Sequence, residues 1–215
     1  MLRSKLFQTA LPVAAIGTAL LSAAPASAQV VNGGFDSCTT TGYSASGNTG
    51  ASAGIGGFLV ASGCFGYVQT GTVGVYSTLT QAITLAAGDT VSGLVGYSTM
   101  ESASSTYNDN AYLSINGTSL FAANTLSPLN GISPRSTGFV SFAFTALTAG
   151  SYSLQLGVRN VGDSTVSSYA VIDNVAVAAA AVVPEPATWA MMIGGIGAAG
   201  GALRRRKANV SVRFA

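Results

Sequence analysis

Leu79-Thr80-Gln81-Ala82-Ile83-Thr84-Leu85 carries apolar side chains at mostly odd positions and stops at Ala86-Ala87-Gly88-Asp89. A period of two puts alternate side chains on opposite faces, the mark of a half-buried strand, and a Gly-Asp pair ends it in a turn. The pattern resumes from Thr90 to Tyr97. Working outward, Phe58-Leu59-Val60 and Phe65-Gly66-Tyr67-Val68 are short apolar runs flanked by glycine. Ala111 to Ile115 ends at Asn116-Gly117, a hairpin signal because both residues tolerate positive φ. Phe139 to Phe144, the turn Thr148-Ala149-Gly150, Tyr152 to Val158 and Tyr169 to Val177 complete the series. Nothing of helical period stands between Gln29 and Val183. The expectation is all-β: an antiparallel sandwich of about eight to ten strands. The repeated Leu-x-Ala-Gly at Leu85–Gly88 and Leu147–Gly150 reads as two equivalent hairpin edges.

Charge is distributed unevenly. The chain of 215 residues is formally +2. Between Gln29 and Val183, however, six acids (Asp36, Asp89, Glu101, Asp109, Asp163, Asp173) face only Arg135 and Arg159, a net charge of −4. Such a segment has no basic patch to displace counterions from a phosphate backbone, so no nucleic-acid partner is expected. The segment is long enough, at about 155 residues, for one domain with its own core. Its low charge and high Val, Ala, Ser and Thr content separate it from disordered chains.

Cys38 and Cys64 are the two cysteines, and both fall in this segment. In an oxidising compartment they are expected to pair. The bridge would stabilise the fold by roughly 3 kcal/mol on the chain-entropy account.

The ends differ in character from the middle. Arg3 and Lys5 precede an apolar run from Leu6 to Leu21, and Ala26-Ser27-Ala28 then precedes Gln29. That is the layout of a secretory signal peptide cut between Ala28 and Gln29, with the small Ala26 and Ala28 filling the peptidase subsites. It implies the Sec translocon and signal peptidase as partners. At the other end, Ala187 to Leu203 is uncharged and, as a helix, would reach about 25 Å, just short of a hydrocarbon core. Trp189 suits one membrane edge, and the cluster Arg204, Arg205, Arg206 and Lys207 suits the cytoplasmic side. The expected organisation is a signal peptide and signal helix at 1–28, an outer sandwich domain at 29–180 and a linker at 181–186. A transmembrane helix at 187–203 and a basic cytoplasmic tail at 204–215 follow.

Pro184-Glu185-Pro186, Trp189-Ala190-Met191-Met192-Ile193 and the arginine run together resemble the PEP-CTERM sorting signal in its PEPxxWA variant, found in Gram-negative bacteria that make exopolysaccharide. The resemblance covers about the last thirty residues and implies recognition by an exosortase, an integral-membrane cysteine protease cleaving near the motif. Two departures stand: Ile196 occupies a position where the family often has Phe, and the tail continues past the basic cluster. The precursor is expected in the inner membrane, transiently, with its outer domain in the periplasm, and the product at the cell surface or outside.

Val31-Asn32-Gly33-Gly34-Phe35-Asp36 and Tyr169-Ala170-Val171-Ile172-Asp173-Asn174-Val175 resemble, more loosely, the galactose-binding-like jelly rolls of exported bacterial proteins and carbohydrate-binding modules. That resemblance implies neighbouring first and last strands with a structural calcium ion held by Asp36 and Asp173, an all-oxygen donor set. The alternative is that Asp173 ends a strand and Asp36 caps a turn. No cofactor is required by anything else in the sequence.

The chain has no His, which removes the usual general base and zinc ligand, and no catalytic residue is assigned. Glu101 and Asp109 are the carboxylates that a glycoside hydrolase would pair, set against a solvated loop with Asp109 in an Asx-turn. For sugar binding, Tyr107, Asn108, Asp109 and Asn110 form the candidate loop. Tyr43, Tyr67, Tyr76, Tyr97, Tyr112 and Tyr169 are further stacking residues, and Arg135 is a hydrogen-bond donor. The resemblances imply an exosortase-sorted, non-catalytic surface or matrix protein associated with exopolysaccharide or biofilm. A carbohydrate-binding module is the alternative, and a polysaccharide hydrolase a third reading.

Overall fold

The computed structural model describes residues 29–181 and 186–204. The expected signal peptide, with Ala26 and Ala28, lies outside the described residues, as do Pro184, Glu185, Arg205 and Arg206.

Thirteen strands and one helix are described. They are β1 (Ser44–Ser46), β2 (Asn48–Ser52), β3 (Gly54–Ile55), β4 (Phe58–Leu59), β5 (Phe65–Gln69), β6 (Tyr76–Leu85) and β7 (Thr90–Thr99). After them come β8 (Asn110–Ile115), β9 (Thr118–Asn124), β10 (Arg135–Ser136), β11 (Val140–Thr145), β12 (Gly150–Arg159), β13 (Ser168–Ala178) and α1 (Pro186–Arg204). Sheet A has the order β1-β6-β12-β8-β9, and sheet B the order β10-β7-β13-β5-β2, with β11 also pairing β7. All pairings are antiparallel. The fold is the sandwich that the alternation predicts.

Its core follows from that alternation. Leu79, Ile83 and Leu85 of β6 meet Leu154, Leu156 and Val158 of β12 and Leu113 and Ile115 of β8. Across the gap, sheet B contributes Val68, Val91, Val95, Tyr97, Ala170 and Ile172, all essentially buried. Burial of this apolar surface is the main favourable term for the fold. Sheet B is also covered on its other side. Phe58, Phe65 and Val171 form a second cluster with Ile55, Val60, Tyr67 and Phe139, carried partly by the β3–β4 hairpin.

Asn116 and Gly117 take φ of 47° and 80°, as a two-residue hairpin between β8 and β9 requires. The two Leu-x-Ala-Gly turns are not hairpin edges. β6 and β12 belong to sheet A, while β7 and β11 belong to sheet B, so each turn carries the chain from one sheet to the other. They lie side by side: the Gly88 N–H donates to the Ala146 carbonyl (2.7 Å) and the Ala146 N–H to the Asp89 carbonyl (2.8 Å). The buried Asp89 carboxylate accepts from the N–H groups of Ala86 (2.8 Å) and Ala180 (3.0 Å), tying the domain's last strand to the same corner.

Cys38 and Cys64 form the expected disulfide. It holds the turn from Asn32 to Cys38 beside β5, where the ring of buried Phe35 lies on Gly66. A Cβ at Gly66 would stand 2.3 Å from Phe35 Cζ, so that position accepts only glycine without a shift of the ring.

α1 occupies the predicted helical segment, and its described side chains are exposed, among them Met191, Ile193, Ile196 and Leu203. No helix of the described residues is long and apolar enough to cross a membrane. Five glycines and the terminal Arg204 dilute the apolar content of α1, which is why the described helix by itself falls short of the span expected at 187–203. The sandwich closes its core within residues 30–177 and uses no described side chain of α1 to do so.

Candidate functional site

Four places bear on function. The first is the C-terminal segment. Pro186 opens α1, Trp189 is half exposed, Ala190 is exposed, and Arg204 sits in the last turn. Pro at a helix start and a cation at its end both agree with helix electrostatics and backbone geometry. Among the described residues, nothing covers the apolar side chains of α1.

The second is the pair Asp36 and Asp173, which the fold brings together. The turn Asn32–Phe35 lies on β13, with the Val175 N–H donating to the Gly33 carbonyl (2.9 Å). Burial holds the Asp173 carboxyl above the usual range; the Asn174 N–H opposes this, and the Asp36 charge adds to it. Asp173 is the last residue in register before a β-bulge, where Asn174 takes a φ of 52°. Tyr43, stacked on Phe35 at 5.0 Å, has a buried hydroxyl without a partner, and its pKa is raised by burial and then by the Asp173 charge. Two neighbouring carboxylates are oxygen donors of the kind a hard cation takes. Among the described residues no three His, Cys, Asp or Glu side chains form a metal-holding group, so any further ligands there would be main-chain carbonyls or water.

The third is the loop between β7 and β8. Tyr107 is 38% exposed, but Asp109 is fully buried. Its Oδ1 accepts the Val161 N–H (2.8 Å) and its Oδ2 accepts the Ser168 hydroxyl (2.7 Å). Burial is the main cause that raises its pKa; those two bonds oppose it, and the charges of Glu101 and Asp163 add to it. Glu101 is also buried. The Asn108 amide oxygen is buried without a partner, and Asn110 leaves the loop for β8. The four loop residues therefore do not form one solvent-facing set. Arg135 is buried and donates from Nη1 to the Thr125 carbonyl (3.2 Å). Tyr97 is in the core, and Tyr169 is buried.

The fourth is the outer face of sheet A, which sequence reasoning did not assemble. Registers place Tyr76, Arg159 and Asn110 in one row, Thr78, Gly157 and Tyr112 in the next, and Thr80, Gln155 and Ser114 in a third. The Tyr76 hydroxyl donates to Asn110 Oδ1 (2.7 Å), and the Tyr112 hydroxyl to Gln155 Oε1 (2.7 Å). The two rings meet edge-to-face at 5.1 Å, and the Arg159 guanidinium stands 4.9 Å from the Tyr76 centroid. The alternation of Leu154, Leu156 and Val158 was the available signal: it consigns Gln155, Gly157 and Arg159 to the opposite face.

Fold and tail together define an antiparallel β-sandwich followed by an apolar helical sorting segment. Residues 182–207 match the PEP-CTERM protein-sorting motif, so the chain carries that motif. The motif implies an exosortase as processing partner, and export as a membrane-anchored precursor bound for the cell surface.

No curated protein matches the chain. Solved structures similar to it include TmCBM61 in complex with β-1,4-galactotriose, at 13% identity and TM-score 0.41, covering 70% of this chain and 97% of that one. Another is the K3 cleaved adhesin domain of Lys-gingipain from Porphyromonas gingivalis, at 12% identity and TM-score 0.44, covering 70% and 99%. A cyclase from Fischerella sp. TAU stands at 15% identity and TM-score 0.41, covering 73% and 100%.

Proposed function

We propose that this chain is an exported, non-catalytic surface protein whose sandwich domain is delivered by exosortase processing and associates with extracellular polysaccharide. The observation that carries the reading is the sorting motif at 182–207, with α1 exposing its apolar side chains at the end of a self-contained domain. In the precursor, the apolar helix enters the inner membrane with the arginines on the cytoplasmic side. Cleavage near Pro184–Pro186 then frees the domain. The absence of His, and the engagement of both Asp109 oxygens in the buried end of the sandwich, favour binding or matrix roles over hydrolysis. A calcium ion held by Asp36 and Asp173 belongs to the same reading, as a brace between the N-terminal turn and β13.

Replacing Pro184, Glu185 and Pro186 by alanine in the native host tests the sorting step. The expected outcome is accumulation of a longer, membrane-bound form and loss of the surface pool. Equal surface delivery of the triple variant would contradict the proposal.

A further inference from the structure

We infer that the outer face of sheet A is a docking surface for an uncharged polysaccharide, a hexose chain lying across β6, β12 and β8 against Tyr76 and Tyr112. The inference rests on the polysaccharide-associated reading above and names the ligand class and the residues.

Of the two outer faces of the sandwich, that of sheet B is occupied at Phe58, Phe65 and Val171 by its own aromatic cluster and hairpin. Tyr76, Thr78, Thr80, Tyr112, Ser114, Gln155 and Arg159 of sheet A remain partly exposed. Their arrangement is preorganised. Gly157 has no side chain, and a Cβ there would stand 2.5 Å from Tyr112 Cε1. The Tyr112 ring therefore lies across β12, held by Gln155, which in turn donates from Nε2 to Thr80 Oγ1 (3.3 Å). Tyr76 is fixed by Asn110 and Arg159. Rings locked in this way lose little entropy on binding. They offer an apolar surface for the C–H face of a sugar, while the phenol oxygens keep lone pairs for its hydroxyls. Tyr76 continues into a cavity of about 340 Å³ lined also by Asn48, Thr72, Val75 and Ser77, room for a further sugar unit at the chain's end.

Charge selects the class. The segment between Gln29 and Val183 carries six acids against two arginines, a net charge of −4; Arg135 and four of the acids are buried, and Arg159 stands on the face itself. A polyanion would find a single arginine here against the domain's net negative charge, whereas a neutral chain meets hydroxyl and amide donors and acceptors.

The test is affinity electrophoresis of the exported protein purified from cells, through gels containing dextran, hydroxyethyl cellulose, β-1,4-galactan or polygalacturonate. The expected result is retardation by at least one neutral polymer, unchanged between low and high salt, and none by polygalacturonate. Tyr112→Ala is expected to weaken retardation about tenfold. Thr78→Glu, which places a charge at the centre of the face without touching the core, is expected to do the same. Far-ultraviolet circular dichroism checks that both variants fold. Migration unaffected by every neutral polymer overturns the inference, as does salt-sensitive retardation by polygalacturonate alone or undiminished binding in both variants. Each of those outcomes leaves the sorting proposal standing, because sorting is read from the ends of the mature chain.

Discussion

Removing the disulfide isolates what holds the N-terminal turn in place. Cys38 is exposed and Cys64 is buried, so the informative variant is Cys38→Ser with Cys64→Ala, which avoids burying a new hydroxyl. The two residues are 26 apart in sequence. Releasing a loop of that length from the unfolded ensemble costs about 3.5 kcal/mol on the chain-entropy relation. For a domain of about 150 residues, that corresponds to a fall in Tm of about 10 °C. The consequence is local as well as global. Phe35 and Tyr43 lie in the segment that the bridge anchors, so amide exchange between Asn32 and Tyr43 is expected to speed up more than exchange in β6 or β12. The assay is thermal unfolding of oxidised wild type and the double variant, followed by near-ultraviolet circular dichroism. A fall of less than 2 °C would refute the reasoning, showing that Phe35 packing alone secures the turn.

Other outcomes follow from individual side chains. Because burial raises the native Asp109 pKa above its unfolded value, the native state binds more protons in that window, and stability falls as pH rises through it. Asp109→Asn keeps the acceptor for Val161 and is expected to flatten the pH dependence of urea unfolding above about pH 4; curves parallel to wild type would contradict this. Gly66→Ala drives a Cβ into the Phe35 ring and is expected to lower stability by about 1–3 kcal/mol in urea denaturation, with no change meaning that the ring relaxes freely. If Asp36 and Asp173 hold calcium, saturating calcium raises Tm by several degrees, chelation reverses the rise, and Asp173→Asn abolishes both; a Tm indifferent to calcium removes the site.

The long strands were legible because each alternates against a real core: Leu79 to Leu85 and Tyr152 to Val158 put their apolar residues inside. β1 and β2, with sequences Ser-Ala-Ser and Asn-Thr-Gly-Ala-Ser, were not, since their place comes from pairing with β6 and β5 rather than from apolar pattern. The sorting motif is readable because it is local. The Tyr76–Tyr112 face is not, because it joins β6 and β8 through β12, and only the register of three strands reveals it. Asp109 shows the opposite failure. A polar residue in a Ser-rich loop reads as solvated, yet Asp109 is buried, with the Val161 N–H and the Ser168 hydroxyl, more than fifty positions away, as its partners.

The most direct trial of the account is intact-mass analysis of the chain recovered from surface and extracellular fractions. The account predicts a product that begins at Gln29 and ends near the Pro184–Pro186 motif, lacking the helical tail. A full-length chain recovered from the cytosol, with both ends uncut, would contradict it.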